Sequence, residues 1–149
     1  MCILEHLTQK EKATTYIQSQ KSLHLYPHVQ DAFIDVLNVL SDEEFHYVVN
    51  SLELVVLHEQ AIAQVMHFEP KDKAFAVLQL TFYDDMPENV LRWVIAHELG
   101  HVLQKRNWQE DDGEKLEEGA DKSAQEWGFE KTEEIKEYLR NRRQELHQY

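Results

Sequence analysis

The sequence predicts an α+β fold in which helices stand on either side of a short mixed sheet. Apolar residues recur with a helical period in the first 50 residues, and helix signals return after Pro87. Between them, two segments within residues 52–83 are rich in β-branched, aliphatic and aromatic residues, as strands usually are. At 149 residues, the chain has the length of one domain.

The N-terminal helices are indicated by spacing and by a capping signal. In "DAFIDVLNVL", Phe33, Val36 and Leu37 share one face of a helix, and Leu40 continues that face. Ser41 followed by Glu44 has the pattern of a capping box, so a new helix is expected to start there.

The strand predictions fall on "LELVVLHE" and "AFAVLQLTFY", which are separated by the break "EPKDK". In the second segment Ala76, Leu78 and Leu80 alternate onto one face. The intervening "AIAQVMHF" is compatible with a strand or a helix, because its period favours neither.

Three C-terminal elements are expected after Pro87. The first is a helix from about Pro87 to about Arg106, and the second is a helix that reaches Trp127 with Gly128 at its C-terminal cap. Thr132 is expected to cap the last helix.

Charge and cysteine content narrow the class of protein. The net charge of −13 argues against a binder of nucleic acid or of anionic membranes, because such surfaces are bound through surplus Lys and Arg. Cys2 is the only cysteine, so neither an intramolecular disulfide nor a cysteine-based zinc site can form, and a cytoplasmic location is expected. The apolar start of the chain is too short for a signal peptide, and no apolar run is long enough to span a membrane.

The segment "AHELGH" carries the strongest functional signal. On a helix, His97 and His101 lie one turn apart on one side and can present two imidazoles to one zinc ion. Glu98 lies about 100° around the helix from His97, beside the ion, where a carboxylate can take a proton from water. This pattern predicts a catalytic zinc site with Glu98 as general base.

Two further features favour a zinc site over an ordinary core helix. Gly100 costs about 1 kcal/mol in a helix interior relative to alanine, which indicates that another backbone passes close to it. The apolar stripe formed by Leu91, Ile95, Leu99 and Val102 leaves the two histidines on a different flank of the helix.

A third protein ligand is expected from "KLEEGADKSAQEWGF", because catalytic zinc sites use three protein ligands and leave one position open. With Leu116 on the buried face, Glu117 falls at the edge of that face and Glu118 points toward solvent. Glu117 is therefore the preferred ligand, with Glu118 and Glu114 as alternatives. Asp121, one turn further, can accept a hydrogen bond from a ligand histidine.

With these residues, the chain resembles the gluzincin-type HExxH zinc metallopeptidases, nearest in style to the compact ImmA/IrrE-like proteins. The resemblance rests on "AHELGH" followed by "EEGADKSA" and covers about residues 84–129. Those relatives usually carry an acidic residue where this chain has Gly119 and an aromatic residue where it has Ser123.

The resemblance implies one zinc ion per chain held by His97, His101 and Glu117, Glu98 as the catalytic base, and Asp121 behind a ligand. It also implies a single zincin-like domain over residues 1–149, with residues 1–50 as a helical N-terminal extension packed on it. The strand before the active-site helix would line the substrate cleft in such a fold.

The expected function is that of a cytoplasmic zinc metalloendopeptidase acting on a peptide or protein substrate. An extended substrate is expected to pair with the edge of the strand that ends near Tyr83. Tyr83, Tyr138 and His147 all remain open as the group that stabilises the oxyanion.

The alternative is a catalytically silent protein that retains the zincin fold and its zinc and acts by binding. The first 50 residues then offer a surface to a regulatory protein partner. A third hypothesis is that these N-terminal helices cover the cleft and keep the enzyme latent.

Overall fold

The computed structural model describes residues 7–56, 63–68, 75–80, 86–104 and 113–146. These residues form six α-helices of ten to sixteen residues: α1 Gln9–Ser19, α2 Pro27–Val39, α3 Asp42–Ser51, α4 Glu88–Leu103, α5 Gly113–Glu126 and α6 Glu133–Leu146. A short 3-10 turn, Lys21–Leu23, separates α1 from α2. Three strands of five or six residues lie between α3 and α4: β1 Leu52–Val56, β2 Ala63–Phe68 and β3 Phe75–Leu80.

Local sequence sets the ends of several helices. The predicted capping box at Ser41 and Glu44 is present, and Thr8 and Glu11 form a second one at the start of α1. Gly128 has φ of +92°, the left-handed conformation that suits a glycine after a helix. The cap predicted at Thr132 is also present, since its Oγ1 accepts from the backbone N–H of Ile135 at 3.4 Å.

Helix α4 lies at the centre of the molecule. Twelve of its residues, from Val90 to Val102, are buried, and they lie all around the helix rather than along one stripe. Helices α2, α3, α5 and α6 and strand β2 pack against it. The helix ends at Leu103, three residues earlier than the sequence predicted.

The three strands are arranged in the order β1-β3-β2. Strand β1 pairs with β3 in parallel, and β2 pairs with β3 in the antiparallel sense. The segment whose period left strand and helix open therefore forms β2. The central position of β3 also contradicts the expectation of a substrate at its edge, because both of its edges are already paired.

The prediction of an α+β, zincin-like fold class is wrong for this chain, which has a helical fold. Among the residues whose burial the structure describes, the six helices supply most of the buried core, and Leu52 and Leu54 of β1 also belong to it. The strands are present but short, and the prediction gave them too much weight. A class is decided by the elements that bury the core, and here a central helix enclosed by other helices does so.

No helix in the described ranges is both long and apolar enough to cross a bilayer.

Candidate metal centre

The two histidines of the HExxH segment lie in the buried interior of α4. His97 and His101 are each 7% exposed, and Glu98 between them is 8% exposed. The sequence placed the histidines on a flank away from the apolar stripe. The structure places that flank against α5, so the imidazoles are enclosed by protein on most sides.

Helix α5 approaches α4 closely at Gly100. A Cβ atom at this position would lie 3.0 Å from the Cα of Ala120 and 3.1 Å from its carbonyl oxygen. Such distances to backbone atoms leave no room for a side chain, so the prediction that another backbone passes close to Gly100 is confirmed. This contact brings the first turns of α5 alongside the two histidines.

Three side-chain groups converge at this junction. The Nε2 atoms of His97 and His101 are 3.1 Å apart. The carboxylate of Glu117 lies 3.2 Å from Nε2 of His97 and 3.3 Å from Nε2 of His101. These three residues form a cluster that could hold a metal ion. Glu114 and Glu118, the alternative ligands, are exposed residues of α5 outside this cluster.

The separations between these three groups are close to those expected around a tetrahedral metal ion. Ligand atoms at 2.0–2.1 Å from a zinc ion are separated by about 3.3 Å in a tetrahedral arrangement. The observed separations of 3.1 to 3.3 Å are close to that value. The nearest Glu117 oxygen is Oε2 for His97 and Oε1 for His101, so both carboxylate oxygens face the histidine pair.

His97 is held in place from three directions. Its Nδ1 lies 2.8 Å from Oδ1 of Asp121, and the other carboxylate oxygen of Asp121 accepts from Nζ of Lys131 at 3.0 Å. The indole ring of Trp93 stacks on the imidazole, with ring centroids 4.9 Å apart. The ammonium group of Lys131 lies 4.7 Å from the Trp93 ring centroid, within the range of a cation–π contact.

His101 has a different support, which the sequence did not reveal. Its Nδ1 lies 3.1 Å from Oε1 of Gln104, and Nε2 of Gln104 donates to the carbonyl oxygen of Leu116 at 2.7 Å. A Cβ at Gly119 would lie 2.8 Å from Nε2 of Gln104. Gly119 thus leaves room for the Gln104 side chain.

These partners determine which ring nitrogens carry protons. A carboxylate only accepts hydrogen bonds, so Nδ1 of His97 donates to Asp121. Because the Gln104 amide nitrogen donates to Leu116, its oxygen faces His101, whose Nδ1 therefore also donates. In the neutral tautomers, both Nε2 lone pairs then point toward the Glu117 carboxylate. The two Nε2 lone pairs and the Glu117 carboxylate are all hydrogen-bond acceptors. At such short distances they repel one another unless a cation lies between them.

The surroundings favour the neutral, metal-binding form of His97. Burial lowers the pKa of His97 below its usual value, and the neighbouring His101 lowers it further. Asp121 and Glu117 act in the opposite direction.

Two of the three residues considered for the oxyanion, Tyr83 and His147, lie outside the described residues. The third, Tyr138, is on α6, where its hydroxyl accepts from Nε of Arg142 at 3.2 Å.

Comparison of the chain with protein-family models, with curated proteins and with solved structures gives no match.

Proposed function

We propose that this protein is a zinc-dependent metallopeptidase that hydrolyses peptide bonds with Glu98 as general base. The observation that carries the proposal is the convergence of His97, His101 and Glu117. Glu98 lies next to His97 on the helix that carries both histidines. The resemblance of "AHELGH" and "EEGADKSA" to gluzincin-type metallopeptidases supports it through these residues and not through the fold.

The ligand set favours a catalytic zinc over a structural one. Structural zinc sites are usually closed by four protein ligands, whereas catalytic sites use three and leave one position open. The described residues supply three. The side chain of Glu117 is 64% exposed, so water and substrate have access from the α5 side.

Glu98 is the proposed proton carrier. When bound, zinc supplies a Lewis acid that polarises the scissile carbonyl and acidifies a water molecule. With zinc held by His97, His101 and Glu117, the Glu98 carboxylate would accept a proton from the attacking water and pass it to the leaving amine. General acid–base catalysis of this kind typically contributes 10²–10⁴-fold to the rate.

Asp121 and Gln104 hold the two imidazoles in their metal-binding tautomers. Each accepts a hydrogen bond from an Nδ1–H and so directs the Nε2 lone pair toward the third ligand. Partners of this kind fix the ring orientation and raise the basicity of the ligand.

The sheet offers an extended substrate one open edge. At the outer edge of β1, the carbonyl oxygens of Leu52 and Leu54 accept from the Tyr16 hydroxyl at 2.9 Å and from the Ser22 hydroxyl at 2.8 Å. The outer edge of β2, the strand that packs on α4, has no strand partner in the described part of the sheet. We therefore place the substrate at β2, where main-chain hydrogen bonds can hold it.

The test separates metal binding from hydrolysis. Elemental analysis after gel filtration should find about one zinc per chain in the wild type and none in a His97→Ala/His101→Ala variant. A library of mixed peptides, analysed by mass spectrometry, should be cut by the wild type and by Glu118→Gln, whose substituted carboxylate lies outside the cluster.

The Glu98→Gln variant should keep its zinc and lose cleavage. Cleavage by Glu98→Gln at the wild-type rate would disprove the mechanism. Zinc without cleavage in the wild type would favour the binding protein instead. Failure to take up any metal would remove the proposal altogether.

A further inference from the structure

A concave surface lies next to the metal centre, between α5, the segment after it and α6. It has a volume of about 510 Å³ and is hereafter called the basic pocket. The residues that line it are Asp121, Lys131, Lys136, Leu139, Arg140, Arg143 and Gln144. Leu139 is buried in the hydrophobic core, so the floor of the pocket is fixed to the body of the protein.

The charge of this pocket is opposite to that of the chain. Four of its seven lining residues are cations and one is an anion, although the chain has a net charge of −13. Lys136, Arg140 and Arg143 follow one another at spacings of four and three residues, so they share one face of α6. These three cations therefore form one basic face of α6.

Two of the cations form no ion pair among the residues that the structure describes. Lys131 pairs with Asp121, and Lys136 pairs with Glu133 at 2.6 Å. Arg140 and Arg143 are exposed, and neither has a carboxylate within ion-pair distance among residues that the structure describes. By contrast, Arg142 on the same helix is paired with Glu145 at 2.8 Å. The guanidinium groups in the pocket are thus available to an external anion.

We propose that the basic pocket binds an acidic peptide segment. Lys136 and Arg143 are about 10 Å apart along the helix axis, given a rise of 1.5 Å per residue. In an extended peptide, alternate side chains lie about 7 Å apart on one side, so two or three carboxylates can reach successive cations. A single phosphate ion is too small to contact both ends of this row.

The pocket adjoins the metal centre through Asp121, which contacts Lys131 with one oxygen and His97 with the other. An acidic segment bound there lies beside the metal site. The net charge of the chain by itself predicts repulsion of acidic peptides, and the pocket reverses that expectation locally. Binding in this pocket does not depend on whether the protein hydrolyses peptides.

The proposal is tested by fluorescence anisotropy with a fluorescein-labelled peptide in which three glutamates are separated by single glycines. The protein is used with the metal it carries and with the Glu98→Gln substitution, so that the probe is not cut. Arg140→Gln/Arg143→Gln should weaken binding by about tenfold or more, because two charge-assisted contacts are removed. The effect should shrink as salt is raised.

The matched control is Lys122→Gln/Arg142→Gln, which removes the same charge from residues outside the pocket. It should bind the probe as the parent does, and a peptide with glutamine in place of glutamate should bind neither protein. The proposal is overturned by equal loss in the two variants, by equal binding of the glutamine peptide, or by displacement of the probe at equimolar inorganic phosphate. The zinc content of the same samples reports separately on the metal site.

Discussion

The two helices that form the candidate metal centre contribute to it in different ways. Helix α4 supplies two histidines that are 7% exposed and fixed by packing on nearly every side. Helix α5 supplies Glu117, whose side chain is 64% exposed and whose position depends on the contact of Ala120 with Gly100. The histidine pair is therefore set by the spacing within one helix, whereas the third ligand is set by how two helices pack.

The largest effect is expected from the exposed ligand itself. Glu117→Gln removes the anionic donor and should reduce zinc affinity by more than 100-fold, a larger loss than that from an outer hydrogen-bond partner. Zinc affinity is measured by competition with a chelating dye. Glu118→Gln, which alters the adjacent exposed carboxylate, should bind zinc as the wild type does. Equal affinities for the two variants would show that α5 does not supply the ligand we assign.

The next largest effect is expected at Asp121, which contacts Nδ1 of the buried His97. Asp121→Asn keeps the shape of the side chain but removes the charge that orients His97, and it should lower zinc affinity by about 10–100-fold. Since every tenfold change is about 1.4 kcal/mol, isothermal titration calorimetry resolves the loss. An unchanged zinc affinity would mean that packing alone orients the imidazole.

The contact between the helices is tested at Gly100. Gly100→Val inserts a branched side chain against the backbone of Ala120 and should lower the free energy of unfolding by about 1–3 kcal/mol, as overpacking does. Urea denaturation of the zinc-free protein measures this free energy of unfolding. Gly113→Val is the control, since a Cβ there has no neighbour within 4 Å. Similar losses in both variants would indicate a general effect of valine in a helix instead of a local clash.

The smallest effect is expected at Gly119, where stability and metal affinity should change in opposite directions. Gly119→Ala favours the helix by about 1 kcal/mol, but its Cβ would displace the Gln104 side chain from beside His101. Thermal unfolding of the zinc-free protein should shift upward, while zinc affinity falls by less than in Asp121→Asn. A parallel rise in both quantities would contradict the role assigned to Gln104.

Helical periodicity was enough to predict much of the metal centre. His97 and His101 share a face because residues i and i+4 always do on a helix, and the same geometry selected Glu117 over Glu118. Gly100 indicated a close neighbour because a glycine inside a helix lowers its stability relative to alanine unless the space is needed. These inferences depend on neighbours within one or two turns, which is the range over which a sequence determines local geometry.

Other features depended on contacts between residues that are distant in the chain. Lys131 reaches Asp121 and Trp93 only because α4 and α5 are packed side by side, and nothing in its own sequence neighbourhood indicates that role. Gln104 takes part because the helix ends at Leu103 and turns its side chain back toward His101 and Leu116.

The sequence by itself determined where α3, α4 and α6 begin, which residue types could bind a metal, and which of them lie on one helix face. Only the tertiary structure decided the helical class of the fold, the central position of β3 and the identity of the supporting residues. The physical reason is that helix spacing and capping are local, whereas strand order and helix packing are set by the burial of apolar surface over the whole chain.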